Sequence, residues 1–165
     1  MICINIYNFF IFCNMIIYDN YIGGDLIVSD KDLFNGMSED KQNKYKKDTI
    51  NRYGRKSFKK ANRNIKKMSS TEWENYQLNL NNLLKEIADS MNGSSYNSKK
   101  VQKLITKHFK LVGTLNPTTK KSYMELANLY VEHEDFITFF NNYHEGFAEF
   151  LSKAMIYFAK GNSKS

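Results

Sequence analysis

The sequence is poor in turn formers and in thiols. One proline and eight glycines in 165 residues leave few strand-turn punctuators, which excludes a many-stranded sandwich or barrel and favours long helices. The two cysteines, Cys3 and Cys13, both lie near the start, so neither a disulfide framework nor a cysteine zinc site can organise the rest, as expected for a reducing compartment. Of three histidines, His133 is followed by Glu134-Asp135-Phe136-Ile137, which fails the His-Glu-x-x-His spacing that puts two imidazoles on one helical face. Glycine-rich phosphate loops and the Gly-x-Ser-x-Gly elbow are also missing, so the common cradles for phosphate and for a nucleophile are excluded. We expect no catalytic residues, no metal and no cofactor.

Aromatic residues, by contrast, are plentiful: 12 Phe, 11 Tyr and one Trp, with 42% hydrophobic residues, a composition that folds. The length suits one core with a short arm or tail. The net charge of +7 is uneven. Residues 40–67 hold 12 Lys/Arg against two Asp, and the remainder is net acidic. That segment could serve a nucleic-acid or acidic-protein partner, because clustered cations displace condensed counterions. A solvated helix face in a Lys- and Asn-rich chain is the simpler reading.

Residues 1–18 are apolar but carry Asn5, Asn8 and Asn14 and no Lys or Arg. They match neither a signal peptide nor a spanning helix; an arm on a partner or an upstream extension of the reading frame are the alternatives, the second preferred. After Gly23-Gly24 the run Ser29-Asp30-Lys31-Asp32 reads as a linker, which gives an extension over 1–31, a helical domain over 32–160 and a tail over 161–165.

From Ser38 onward the pattern is helical. Ser38 can cap a helix closed by Gly54, and Tyr45, Ile50, Tyr53, Phe58 and Ile65 are the sparse apolar anchors across 40–67, so residues 38–67 should open at lower free energy than residues 71–158. Thr71-x-x-Glu74 is a capping box ahead of the stripe Trp73, Tyr76, Leu80, Leu83, Leu84, Ile87, Ala88 and Met91, which ends at Asn92-Gly93. Val101, Leu104, Ile105, His108, Phe109 and Val112 form a second stripe closing at Gly113, with His108 expected as a hydrogen-bonded core histidine. Asn116-Pro117 reads as a cap and first helical residue before Tyr123, Leu126, Ala127 and Tyr130. Phe136, Phe139, Phe140 and Tyr143 come next, then Gly146 and the stripe Phe147 to Phe158. Nine of the 24 aromatics fall between Tyr130 and Phe158. That is denser than a plain core requires, and either an aromatic-lined cavity or an aromatic-rich core accounts for it.

Asp32-Leu33-Phe34-Asn35-Gly36, Arg52-Tyr53-Gly54, Glu72-Trp73, Leu129-Tyr130-Val131 with Asp135-Phe136, and Tyr143-x-Glu145-Gly146-x-Ala148-x-Phe150-Leu151-x-x-Ala154-Met155-x-Tyr157 occur here in one order. Over about Asp32 to Lys160 the chain thereby resembles the TipA-S-type antibiotic-recognition domain, the effector domain of MerR-family activators. The resemblance implies an all-α, globin-like helical bundle without haem that binds bulky aromatic or polycyclic antibiotics and acts in transcription regulation or drug sequestration. Three departures matter. A MerR DNA-binding head has no room here, so no direct DNA contact by this chain is expected. Thr114-Leu115-Asn116-Pro117-Thr118-Thr119 lacks the cysteine with which some relatives capture dehydroalanine-containing thiopeptides, and a threonine without a base cannot replace a thiolate. Asp135 stands where the family commonly has arginine, which bears on ligand identity.

The expected ligand-binding residues are Trp73, as a supporting wall, with Phe109, Tyr123, Tyr130, Phe136, Phe140, Tyr143 and Phe147 for stacking and edge contacts. Phe140 and Tyr143 are expected to matter more to the ligand than to stability. The full expectation is a cytoplasmic, non-enzymatic monomer or weak dimer that binds a hydrophobic multi-ring small molecule and no membrane. The alternatives are a basic interaction module using residues 40–67 and a structural remnant without a ligand.

Overall fold

A computed structural model describes residues 67–115 and 117–161, together with residues 40, 43, 44, 47 and 51. The expected extension over 1–31, the cap at Ser38, the stop at Gly54 and the anchors Tyr45, Ile50, Tyr53, Phe58 and Ile65 lie outside the described residues. Asp40, Asn43, Lys44, Lys47 and Asn51 are helical and exposed. All five helices with complete bounds are α-helices, and no strand occurs among the described residues: α1 Ser70–Asp89, α2 Lys99–Leu115, α3 Lys120–Glu132, α4 Glu134–Asn141 and α5 Phe147–Ala159. The protein is all-α. Two compact units divide the chain, Met1–Asn79 and Leu80–Ser165, and α1 runs across the division.

In the first unit, α1 opens on a capping box two residues earlier than Thr71-x-x-Glu74. The Ser69 backbone N–H donates to Glu72 Oε2 at 2.8 Å, and the Glu72 N–H donates back to Ser69 Oγ at 3.3 Å. These backbone and hydroxyl donors hold the Glu72 carboxyl below its usual range. Thr71 is therefore an exposed first-turn residue and not the cap. Trp73 and Tyr76 are buried and stack with centroids 5.7 Å apart and planes 8° from parallel.

The second unit is assembled around α3 and α5. Helices α2 and α4 also pack on α5, and α4 packs on α3. Each helix buries the stripe its periodicity marks: Val101, Leu104, Ile105 and Val112 on α2; Tyr123, Leu126, Ala127 and Tyr130 on α3; Phe136, Phe139 and Phe140 on α4. On α5 the buried apolar residues are Phe147, Ala148, Leu151, Ala154, Met155 and Ala159. Gln102 ties α2 to α5, its Nε2 donating to the carbonyls of Tyr96 at 2.7 Å and Ala154 at 3.2 Å.

Besides the start of α1, three boundaries differ from the sequence expectation: α1 ends at Asp89, so that Met91 lies in the turn before Asn92-Gly93, and α2 and α3 differ at one end each. Helix α2 continues through Gly113 to Leu115. Helix α3 opens not at Pro117 but at Lys120, with Thr119 as cap: the Ser122 N–H donates to Thr119 Oγ1 at 3.2 Å, and the Thr119 N–H to Ser122 Oγ at 3.0 Å. This reciprocal pair satisfies two of the orphan donors at a helix start, which Pro117 cannot do. Before α5, Gly146 adopts φ 75°, the left-handed region where only glycine is at ease. Gly146 has no side chain to cap the helix, and the Ala148 N–H instead donates to Asn141 Oδ1 at 3.1 Å.

Candidate ligand-binding site

The second unit gathers its aromatic rings into two groups. In the first, Phe109 of α2, Tyr123 of α3 and Phe158 of α5 meet as a triangle: Phe109 to Tyr123 at 5.0 Å and 85°, Phe109 to Phe158 at 5.2 Å, and Tyr123 to Phe158 at 5.9 Å. The steep angles are the edge-to-face geometry that ring quadrupoles favour. His108 lies beside the triangle. It is buried and its Nδ1 hydrogen-bonds the Tyr123 hydroxyl, as expected of a core histidine. Burial lowers the His108 pKa to about 4 and raises that of Tyr123 well above the ordinary value, so both are neutral near pH 7.

The second group runs along α3, α4 and the start of α5. Tyr130 meets Phe140 at 4.4 Å and Phe136 at 6.0 Å; Phe140 meets Phe139 at 5.1 Å and Phe147 at 6.0 Å. Tyr143 lies in the turn after α4, with Phe139 at 5.6 Å and Phe147 at 5.9 Å. Its hydroxyl donates to Asn81 Oδ1 at 2.6 Å, which fastens the turn to α1.

Of the eight residues expected from sequence, Phe109 and Tyr123 thus share one group, and Tyr130, Phe136, Phe140, Tyr143 and Phe147 share the other. Trp73 belongs to the first unit, where its indole nitrogen is buried without a hydrogen bond among the described residues. Six of the eight are fully buried, at 2% exposure or less; only Phe109 and Tyr143 are half-buried. Phe140 is fully buried, so its ring supports the fold whatever it contributes to a ligand. Phe139 and Phe158 belong to these groups but were not among the expected residues. Both lie on the apolar stripes, which say that a ring is inward but not which ring it meets.

No group of three or more His, Cys, Asp or Glu that could hold a metal occurs among the described residues. The carboxylates Glu125, Glu132, Glu134, Glu145 and Glu149 are all at the surface. The arrangement offers flat apolar faces, ring edges and neutral hydroxyls, which suits adhesion to a ring system.

An all-α domain with an aromatic interior is the class that fold and rings define. Residues 45–158 match the TipAS antibiotic-recognition domain, and the chain belongs to that family. It is also similar to the HTH-type transcriptional regulator SkgA of Caulobacter vibrioides, in strains NA1000 / CB15N and ATCC 19089 / CIP 103742 / CB 15. Identity is 24% over 144 residues, covering 84% of this chain and 56% of the regulator in each. The chain thus spans about half the length of the curated relatives it matches. No solved structure matches it.

Proposed function

We propose that this chain is a non-enzymatic domain that binds bulky aromatic or polycyclic antibiotics reversibly, as the effector-binding part of drug-responsive transcription control or as a drug-sequestering protein. The family match over residues 45–158 carries the proposal, and the ring groups supply its chemistry. Similarity to an HTH-type regulator supports the regulatory setting. No described helix is long and apolar enough to cross a membrane, which is compatible with the cytoplasmic site of action that such a role requires.

The half-buried rings of Phe109, Phe158 and Tyr143 are the ones an incoming ligand meets first. Tyr123, Tyr130, Phe136, Phe140 and Phe147 lie behind them and make contact where helices part. Burial of flat apolar surface contributes on the order of 25 cal/mol per Å², before ordering is subtracted. Micromolar or better affinity then needs no covalent bond. Residues 114–119 hold no thiol for covalent capture: the Thr114 hydroxyl donates to the Leu111 carbonyl at 2.7 Å, and the Thr119 hydroxyl is the α3 cap.

A thermal-shift panel of multi-ring antibiotics, thiopeptides included, tests the proposal. A specific ligand at about 100 times its Kd adds about 2.7 kcal/mol to stability and raises Tm with concentration. A panel in which no multi-ring compound raises Tm sinks it.

A further inference from the structure

We propose that the exposed face of α2 is a contact surface for the phosphate backbone of duplex DNA, independent of base sequence. Lys99, Lys100, Lys103, Lys107 and Lys110 are all exposed, and at about 100° per residue they share an arc of about 100° on the helix. The buried residues Val101, Leu104, Ile105, His108 and Val112 occupy the opposite side. From residue 99 to residue 121 the chain carries seven lysines and no Asp or Glu. The charge concentration at 40–67 hides this run, because the remainder of the chain is net acidic.

Helix stability does not explain the stripe. A solvated face normally alternates Glu with Lys three or four residues apart; α5 does so with Glu149 and Lys153, whose charged groups lie 3.2 Å apart. On α2 the pairs 99–103, 100–103, 103–107 and 107–110 are all like-charged. Lys99 and Lys100 also occupy the first turn, where the helix dipole is positive and cations are disfavoured. Among the described residues the stripe's ion pair is with Glu86 on α1, 3.8 Å from the Lys107 ammonium with both side chains more than half exposed. Such a pair is weak in water.

The spacing favours DNA over an acidic protein surface. At about 1.5 Å rise per residue the stripe extends for about 16 Å, with one positive charge about every 4 Å on average, of the same order as the phosphate repeat. One strand of B-DNA carries a phosphate per about 3.4 Å of axis. Among the described residues, by comparison, the acidic side chains are spread over several helices and a turn and form no matching row for a second copy. Lysines with no ring among them suit phosphates and not base edges. Phosphate contact needs no base-reading helix, so it is independent of the expectation, drawn from chain length, of no direct DNA contact.

The test is fluorescence anisotropy of a short, labelled duplex of random sequence, titrated with the full chain at several salt concentrations. Three proteins are compared: the parent, the variant Lys100→Gln, Lys103→Gln, Lys107→Gln, Lys110→Gln, and a control with Lys56→Gln, Lys59→Gln, Lys60→Gln, Lys66→Gln. Each lysine–phosphate contact removed should flatten the log–log salt slope by about 0.9, so the α2 variant should lose about three to four in slope and the control less. Removing like charges should leave helicity intact by circular dichroism; should the quadruple variant misfold, the single reversal Lys103→Glu is read in its place and should weaken binding. A parent that does not bind at low salt, or an α2 variant that keeps the parental slope, overturns the proposal. So does sedimentation showing salt-sensitive self-association that the α2 variant loses while its DNA binding is unchanged, which would assign the stripe to a second copy.

Discussion

Phe140 and Phe109 show why a ring's place on a helical stripe does not define its role. Both are inward on periodicity, yet Phe140 is wholly enclosed by Tyr130, Phe139 and Phe147, whereas Phe109 keeps part of its ring in water. Phe140→Ala should cost about 3–5 kcal/mol of stability, and Phe109→Ala clearly less, as read by urea unfolding without ligand. Equal losses would show that Phe109 is enclosed in solution. His108 makes a pH prediction. Its folded pKa of about 4 lies below the ordinary 6.5 because burial disfavours the imidazolium, so between those values the unfolded chain binds more protons than the folded one. Stability from this group is complete above about pH 6.5 and is lost as pH falls towards 4, by about 3 kcal/mol at roughly 1.36 kcal/mol per unit. His108→Gln, which cannot titrate, should flatten this limb of the pH–stability curve. A variant that loses as much stability on acidification as the parent would place the effect elsewhere.

At the scale of the element, helix existence was legible and helix starts were not. Ser69-Ser70-Thr71 precedes both Glu72 and Glu74, so two capping boxes of equal local quality compete, and the structure uses Ser69 with Glu72. Likewise Asn116-Pro117 and Thr119 with Ser122 are both good openings for α3, and reciprocal hydrogen bonding favours the second. Ser69→Ala and Thr119→Ala should each cost about 1 kcal/mol, while Thr71→Ala should stay within about 0.5 kcal/mol of the parent; the reverse ranking would restore the box at Thr71. Gly113, a stop signal on sequence grounds, lies inside α2, and a methyl group added there would meet nothing within 4 Å. Gly113→Ala should therefore raise stability by about 0.5–1 kcal/mol in thermal melts. A lower Tm would mean that the helix does end there.

For the whole molecule, the prediction that separates reversible recognition from capture is made by mass. After incubation with a thiopeptide, the intact mass of the chain should be unchanged, because residues 114–119 carry no thiol and the Thr114 and Thr119 hydroxyls are engaged in backbone hydrogen bonding. An adduct mapped to residues 114–119 would refute non-covalent binding. One on Cys3 or Cys13 would be adventitious thiol chemistry and would leave it standing.

The all-α class, the identity of the inward residues and the membership of the antibiotic-recognition family were all present in the sequence, because 3.6-residue periodicity and the ordered motif series are local, one-dimensional signals. The grouping of rings was not. Phe109 and Phe158 are far apart in the chain, as are Asn81 and Tyr143, and they meet only because helices remote in sequence pack together. The same holds for exposure: periodicity assigns Phe109 and Phe140 alike to the apolar side, and only the neighbours contributed by other helices decide that one ring stays half in water while the other is sealed.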